Sequence, residues 1–429
     1  MNARIQQPRP PAERPPATGS VPIEPALAAW TGGIGPSVIG KMLGLMGRPG
    51  ITSFALGLPA PELFPVEAYA DAAVRVLRGD PNALQYTSPH APLREQVAEL
   101  MARRGIDCRP EQVFLTTAAQ QGLSLLAHLF LDPGGQIICE RLVYSGFQQA
   151  VAPLSPRILT VDTDPETGID VDAVESLLEG GARPAFIYVI TDGHNPLGVS
   201  VSLEKRVRLV QLAHRFGVPI VEDDAYGLLH YGDEPIPPMR AMDDRWVFYV
   251  GSFSKVMAPG FRVGWLLVPE ALLPALGNAK DGSDVNTSTF SQRLVSAYLE
   301  TGHFPVHLET IRAAYRERRD ALDSALARCF GGGGARWTVP QSGALIWLDV
   351  GEGMDTTALL RPAVEEESVA FVPGEAFAAD GSRAGSSCMR LNFSKPRVDE
   401  ITSGVERIAR ICARAGPRRD PAPSLAAAG

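Results

Sequence analysis

"VGSFSKVMAPGFRVGW", residues 250–265, sets a lysine on a loop between two apolar runs, "RWVFYV" on one side and "RVGWLLVP" on the other. Short apolar runs bounded by Gly and Pro read as buried strands. The segment between them is too polar and too rich in Gly and Pro to be core. Working outward, the same rhythm recurs. "QVFLTT" precedes helical "AAQQGLSLLAHLFL", "GQIICE" precedes the segment carrying "YSGFQQAV", "FIYVIT" precedes "SLEKRVRLVQLAHRF", and "VPIVEDD" runs into a loop. Strands alternating with helices imply an α/β protein with a mainly parallel central sheet sandwiched by helices. In such a sheet, catalytic groups sit at the carboxyl ends of the strands.

Beyond residue 290 the pattern changes to long helices, "SQRLVSAYLETG" and "PVHLETIRAAYRERRDALDSALARCF", followed by strand-like "GALIWLDV" and "CMRLNFS". This reads as a smaller α+β domain. Between them "FGGGGARW" is a loop, since no strand-loop-helix context makes it a phosphate site. The proline-rich start and "AGPRRDPAPSLAAAG" at the end read as disordered tails. The expected division is a tail at 1–25, a segment at 26–75 serving the small domain and a subunit interface, a large domain at 76–300, a small one at 301–415, and a tail at 416–429.

A net charge of −8 and a pI near 5.5 oppose general affinity for nucleic acid or anionic membrane. The five cysteines are odd in number and far apart, with no metal-ligand spacing, so they read as reduced and no metal is expected. No apolar stretch reaches the length of a membrane span or resembles a signal peptide, which points to the cytoplasm.

The strand ends collect polar groups. "VEDDAYG" places Asp223 and Tyr226 after "VPIV", "VITDGHNPLG" places Asn195 after "FIYVI", "TTAAQQG" opens a helix with Ala118, Ala119 and Gln120, and "ICERLVYSG" places Tyr144. With Lys255, these converge on one sheet edge. A lysine in a partly apolar site forms a Schiff base with an aldehyde. A carboxylate facing a pyridine nitrogen keeps it protonated, an aromatic face stacks on the ring, and a helix N-terminus with serines and an arginine holds a phosphate.

Together these motifs resemble the fold type I pyridoxal-phosphate (PLP) aminotransferases of class I and II, nearest to the 2-aminoadipate and aromatic aminotransferase-like branch. The resemblance runs from "ITSFALGLPAPELFP" at 51–65 to "MRLNFSKP" at 389–396, and S-x-S-K-x-x-x-P-G-x-R-x-G is its most specific part. It implies that Lys255 carries the cofactor and later moves the Cα proton. Asp223 would pair with the pyridine nitrogen, with Asp224 the competitor and the D-x-x-Y spacing to Tyr226 favouring Asp223. Tyr226 and Asn195 would bond the phenolic oxygen, and Tyr144 would stack on the ring. Ser252, Ser254, Arg262, Gln120 and the N–H groups of Ala118 and Ala119 would bind the phosphate, and Tyr86 would reach the phosphate of the neighbouring subunit in a homodimer. Arg390, with Asn195, would hold the substrate α-carboxylate. His194 stands between a substrate contact and a loop cap.

The chain departs from the family where Ala118 and Ala119 replace a common Gly-Ser pair, which removes one hydroxyl from the phosphate site. The expected function is ping-pong transfer of an amino group between an L-amino acid and a 2-oxo acid. The alternative is another PLP reaction on an amino acid, such as decarboxylation, elimination, cyclisation or oxidation. A third reading, the sensor domain of a transcription regulator, needs a DNA-binding module for which the Pro-rich start is expected to leave no room.

Overall fold

Side-chain alternation along the strands builds the core. Among the described residues of the computed structural model (28, 30–31, 50–232 and 234–416), seven strands form the central sheet. They are β1 (Val113–Thr116), β2 (Gln136–Glu140), β3 (Arg157–Val161), β4 (Pro184–Ile190), β5 (Ile220–Asp223), β6 (Val247–Ser252) and β7 (Gly264–Leu267). Their spatial order is β1-β7-β6-β5-β4-β2-β3. From β6 to β3 every pairing is parallel, whereas β7 runs antiparallel to both its neighbours. The expectation of a mainly parallel sheet therefore holds, with one reversed strand. The expected tails, apart from Gly416, and nearly all of residues 26–49 lie outside the described residues.

Helices α1 (Val66–Gly79) and α2 (Ala91–Ala102) precede the sheet; α3 (Ala118–Phe130), α4 (Ser145–Val151), α5 (Val171–Glu179), α6 (Leu203–Phe216) and α7 (Leu273–Asp281) cover it. Successive residues of β4 divide between the two faces: Phe186, Tyr188 and Ile190 pack with α3, α4 and α7, whereas Ile187 and Val189 pack with α5 and α6. A strand buried on both faces must be apolar throughout, which is why "PAFIYVI" shows no alternation. The helices are set locally by caps. The Asp170 carboxylate accepts from Ala173 N at 3.0 Å at the start of α5, and Ser202 Oγ accepts from Lys205 N at 3.4 Å at the start of α6.

After α8 (Thr289–Leu299), the 27-residue α9 (Phe304–Phe330) carries the chain to a second sheet. Its strands β8 (Arg336–Trp337), β9 (Leu345–Asp349), β10 (Val372–Pro373) and β11 (Cys388–Asn392) are ordered β8-β9-β11-β10 and paired antiparallel. Helix α10 (Thr356–Glu367) packs on it, and α11 (Val398–Ala415) packs against α9 and α10. The segment at Thr52–Ser53 pairs in parallel with Val369–Ala370 as a separate two-stranded sheet, and Asn392 N of β11 donates to Phe54 O at 2.8 Å, which ties the run before α1 to the second sheet. That anchor lets residues 56–58 overhang the carboxyl ends of the large sheet. No helix among the described residues is long and apolar enough to cross a membrane.

Candidate active site

The pleat decides what reaches the sheet edge. Ile190, Asp223 and Ser252 are the last residues of β4, β5 and β6, and all three line a cavity of about 290 Å³. The N-terminus of α3 contributes Ala118, Ala119 and Gln120, the turn after β6 contributes Ser254 and Lys255, and Arg390 comes across from β11. Tyr144, Asn195, Tyr226 and Arg262 complete the expected set. Tyr86 is the exception: it is 84% exposed and lies outside this cavity, beside residues 286–290.

Asp223 is buried at the end of β5. Its Oδ2 accepts from the Tyr188 hydroxyl at 2.7 Å, and its Oδ1 is buried with no partner among the described residues. Burial pushes its carboxyl up to about 6; the Tyr188 hydrogen bond opposes that rise and the Asp224 charge adds to it. Asp224 takes the other direction. It receives Arg104 Nη1 at 2.7 Å, the Tyr249 hydroxyl at 2.9 Å and Gly227 N at 2.7 Å, and so serves the buried interior beneath the loop. Side-chain alternation past the end of the strand thus puts Asp223 on the cavity lining and Asp224 beneath it.

Lys255 closes a 3₁₀ turn, Phe253–Lys255, that follows β6 directly. Its Nζ donates to the carbonyl of Gly57 at 2.6 Å and lies 5.8 Å from the centre of the Tyr226 ring. Burial, reinforced by the guanidiniums of Arg390 and Arg262 and opposed by Asp223, pushes its amine down to about 8. A side-chain amine that sheds its proton near neutrality is a nucleophile and a base.

The opposite rim is built for an anion. Ser252 Oγ donates to Ser254 Oγ at 2.9 Å, accepts from Ser254 N at 3.1 Å and lies 3.5 Å from the carbonyl of Val263, so the two hydroxyls stand side by side at the cavity wall. Arg262, exposed at φ +54°, stands beside them at the cavity wall, opposite the first N–H groups of α3. Tyr144 Oη lies 3.5 Å from Gln120 Oε1, and Gln120 Nε2 donates to Gly146 O at 2.7 Å. A Cβ added at Gly146 would fall 2.3 Å from the Tyr144 ring, so only glycine lets that ring lie where it does.

Arg390 is buried over the Phe377 ring, 4.9 Å from its centre, and donates through Nη1 to Asn195 Oδ1 at 2.9 Å and through Nη2 to the carbonyl of Ala55. Burial pushes its guanidinium down to about 10. His194, left open between two roles, is buried away from the cavity lining, with Nε2 2.8 Å from Glu140 Oε2 and Nδ1 accepting from Leu197 N at 3.4 Å. It serves the loop.

Sequence reasoning missed Leu56, Gly57 and Leu58, which line the cavity from the N-terminal side. A Cβ at Gly57 would stand 3.6 Å from Tyr226 Oη and 4.0 Å from Lys255 Nζ, so the absence of a side chain keeps the space beside both groups open. The only signal was the glycine in "ALGLP" within the stretch that carried the family resemblance. Ala225, Pro259 and Ile190 also line the wall, and as small or apolar residues they gave no signal.

A pyridine ring with one phosphate arm and an aldehyde fits this donor set. Asp223 Oδ1 is buried with no partner among the described residues, the hydroxyls of Ser252 and Ser254 meet beside an arginine, and Lys255 lines the same cavity. The model of the family described as aminotransferase class I and II matches residues 54–408. The chain is 41% identical to the 2-aminoadipate transaminase of Thermus thermophilus, over 90% of this chain and 96% of that protein. It is 38% identical to aromatic-amino-acid aminotransferase 1 of Thermococcus litoralis, over 88% and 91%. The solved structure of the Thermus thermophilus alpha-aminoadipate aminotransferase, bound to N-(5'-phosphopyridoxyl)-L-leucine, superposes with a TM-score of 0.83 at 39% identity, covering 90% of this chain and 96% of that one. Matches of this extent, laid over a cavity that meets the demands of pyridoxal phosphate group by group, make this chain a member of the aminotransferase class I and II family, a PLP-dependent enzyme that moves amino groups between amino acids and 2-oxo acids.

Proposed function

We propose that Lys255, Asp223 and Tyr226 carry the chemistry of this aminotransferase in a ping-pong cycle. The single observation behind the reading is the placing of Lys255 in one cavity with the Asp223 carboxylate, whose Oδ1 has no partner among the described residues, and the Arg390 guanidinium. When bound, PLP supplies an aldehyde that takes up the amino group and a protonated ring that accepts the electrons of the broken Cα–H bond. Asp223 holds the ring nitrogen's proton. Tyr226 and Asn195 donate to the phenolic oxygen, Tyr144 covers one ring face, and Ser252, Ser254, Arg262, Gln120 and the N–H groups of Ala118 and Ala119 hold the phosphate. Lys255 Nζ, its midpoint brought down to about 8 by burial, takes the proton from the substrate Cα in its neutral form. Arg390 forks onto the substrate α-carboxylate, with Asn195 orienting it.

The test is optical. Single amino acids, starting with 2-aminoadipate and aromatic amino acids because the relatives are named for them, convert the cofactor band from its aldehyde to its amine form, and a 2-oxo acid restores it. Release of carbon dioxide, ammonia or peroxide without that conversion sinks the reading.

Two substitutions probe the assignments. Arg390→Lys keeps a charge but loses the planar fork, so kcat/KM for the amino acid falls about 10- to 100-fold, the loss of one charge-assisted hydrogen bond, mostly through KM. Ala119→Ser restores a hydroxyl beside the phosphate, so the PLP dissociation constant falls about fivefold in equilibrium dialysis.

The exposure of Tyr86, well away from its own cavity, supports a homodimer in which it serves the partner's phosphate site. Sedimentation velocity reads this directly. The proposed organisation is a large domain at 76–300 and a small one at 301–415, with residues 26–75 serving the small domain and the interface. The proposed location is the cytoplasm.

A further inference from the structure

Tyr188 lies within the most apolar run of the sheet, where a phenol needs a partner or costs stability. It is 1% exposed on β4, and its ring is stacked on Phe147 of α4, with centroids 3.7 Å apart and planes 2° apart. β4 and β5 are paired so that Ile190 faces Asp223 and Tyr188 faces Val221, which puts Tyr188 two residues below Asp223 on the same face. The phenol spans that gap and donates to Asp223 Oδ2 at 2.7 Å. With Oδ2 engaged, Oδ1 is the oxygen without a partner among the described residues, and Asp223 lines the cavity.

We propose that Tyr188 is a positioning residue for the cofactor: clamped by Phe147, its hydroxyl fixes which oxygen of Asp223 meets the pyridine nitrogen and keeps that carboxylate charged. The proposal rests on the assignment of Asp223 to the ring nitrogen. It is a role for the aromatic residue beneath the site, which touches neither cofactor nor substrate. The titratable groups facing Asp223 are Tyr144, Tyr226 and Lys255 from the cavity, His194 from the loop after β4, and Asp224 from its own chain direction. Tyr188 is the one that donates a side-chain hydrogen bond to it. A hydrogen bond to the charged form stabilises that form, so deleting the donor raises the carboxyl's midpoint.

Tyr188→Phe keeps the ring and the stack and removes only the hydroxyl. Tyr249→Phe is its control, since Tyr249 makes the matching bond at 2.9 Å to Asp224, outside the cavity lining. The full chain, stripped of cofactor, is titrated with PLP by fluorescence from pH 5 to 8. The cofactor's phosphate titrates alike for every variant and cancels in the comparison. For Tyr188→Phe the acid midpoint of PLP affinity moves up about one pH unit, the size of one hydrogen bond, and affinity at pH 6 falls about fivefold. Tyr249→Phe leaves the midpoint unchanged.

A wild-type midpoint in Tyr188→Phe overturns the proposal, and so do equal shifts in both variants, because that is a packing effect. Should Tyr188→Phe not fold, Phe147→Leu loosens the clamp while keeping the hydroxyl. A smaller upward shift there supports the proposal, and no shift overturns it. Asp223→Asn separates the two claims. If it binds PLP as tightly as wild type, the assignment of Asp223 itself is wrong; if it binds poorly while Tyr188→Phe is normal, only the role of Tyr188 fails.

Discussion

Lys255→Ala lowers the rate of amino transfer by at least about 10⁴-fold, the upper range for loss of a positioned general acid–base group, and removes the nucleophile as well. The variant also loses the visible absorbance that a protein-bound, lysine-linked cofactor gives in the absence of added amine. The reason lies in the packing. Lys255 is set by the short turn that follows β6, a strand buried along its whole length, so its Nζ has little freedom to miss the substrate Cα. Burial and two guanidiniums hold its amine near 8, so the neutral fraction rises tenfold per pH unit below that value and levels off above it. The rate at which the cofactor-free chain captures PLP follows this curve, rising with pH to a plateau above about 8. Stopped-flow absorbance across pH 6 to 10 reads it. Lys255→Arg retains a charge but stays protonated throughout, and it does not restore the rate. Capture by Lys255→Ala with a visible band at the wild-type rate places the reactive amine elsewhere.

How far the sequence led depended on whether the information was local. "VGSFSKVMAPGFRVGW" lay open to reading because a strand, a lysine turn, an arginine and a returning strand follow within sixteen residues. The alternation of strand and helix gave the layers for the same reason. Strand order was not legible, since β7 enters between β1 and β6 and nothing in "RVGWLLVP" records direction: an apolar run reads alike both ways. Gly57 reaches Lys255 across 198 positions, and a lone glycine among apolar neighbours carries no mark of that meeting.

Tyr188 shows the limit from the other side. In "FIYVIT" it is one more bulky strand residue, and only the pairing of Ile190 with Asp223 reveals that its hydroxyl has a carboxylate to reach. The reverse holds for Asp224, whose adjacency to Asp223 made it a rival on paper although its bonds go to Arg104, Tyr249 and Gly227. Motifs name chemical groups. The pleat and the register decide which of them share a space.

Asp223→Asn lowers kcat by about 10²- to 10³-fold, the effect of deleting one preorganised charge from a buried site. The carboxylate sits at the end of a fully buried strand, with Oδ2 held by Tyr188 and Oδ1 buried without a partner among the described residues. A buried carboxylate with no cation beside it is costly, and burial holds the Asp223 midpoint near 6, against an ordinary value of 3.8. A cation placed against Oδ1 relieves that cost, so the site favours a protonated ring nitrogen. The sign follows from the midpoint. Above pH 6 the group is charged and holds the proton on the ring; below it the charge is lost, and PLP affinity drops toward tenfold per pH unit. Asparagine keeps the shape and removes the charge, so the acid limb of the affinity profile flattens while affinity at pH 8 falls to the level wild type shows in acid. The two carboxylates give a built-in contrast. Asp224→Asn breaks the bonds to Arg104 and Tyr249 and leaves Arg104 buried with only Asp192, at 3.4 Å, as an ionic partner. It costs stability by about 3 to 5 kcal/mol, as breaking a buried pair does. Asp223→Asn relieves an unpaired charge and leaves the denaturant midpoint of the cofactor-free chain unchanged or raised. A catalytic defect without a stability defect in Asp223→Asn, and the reverse order of severity in Asp224→Asn, is the expected pattern; a stability loss in Asp223→Asn matching that of Asp224→Asn would make both carboxylates structural.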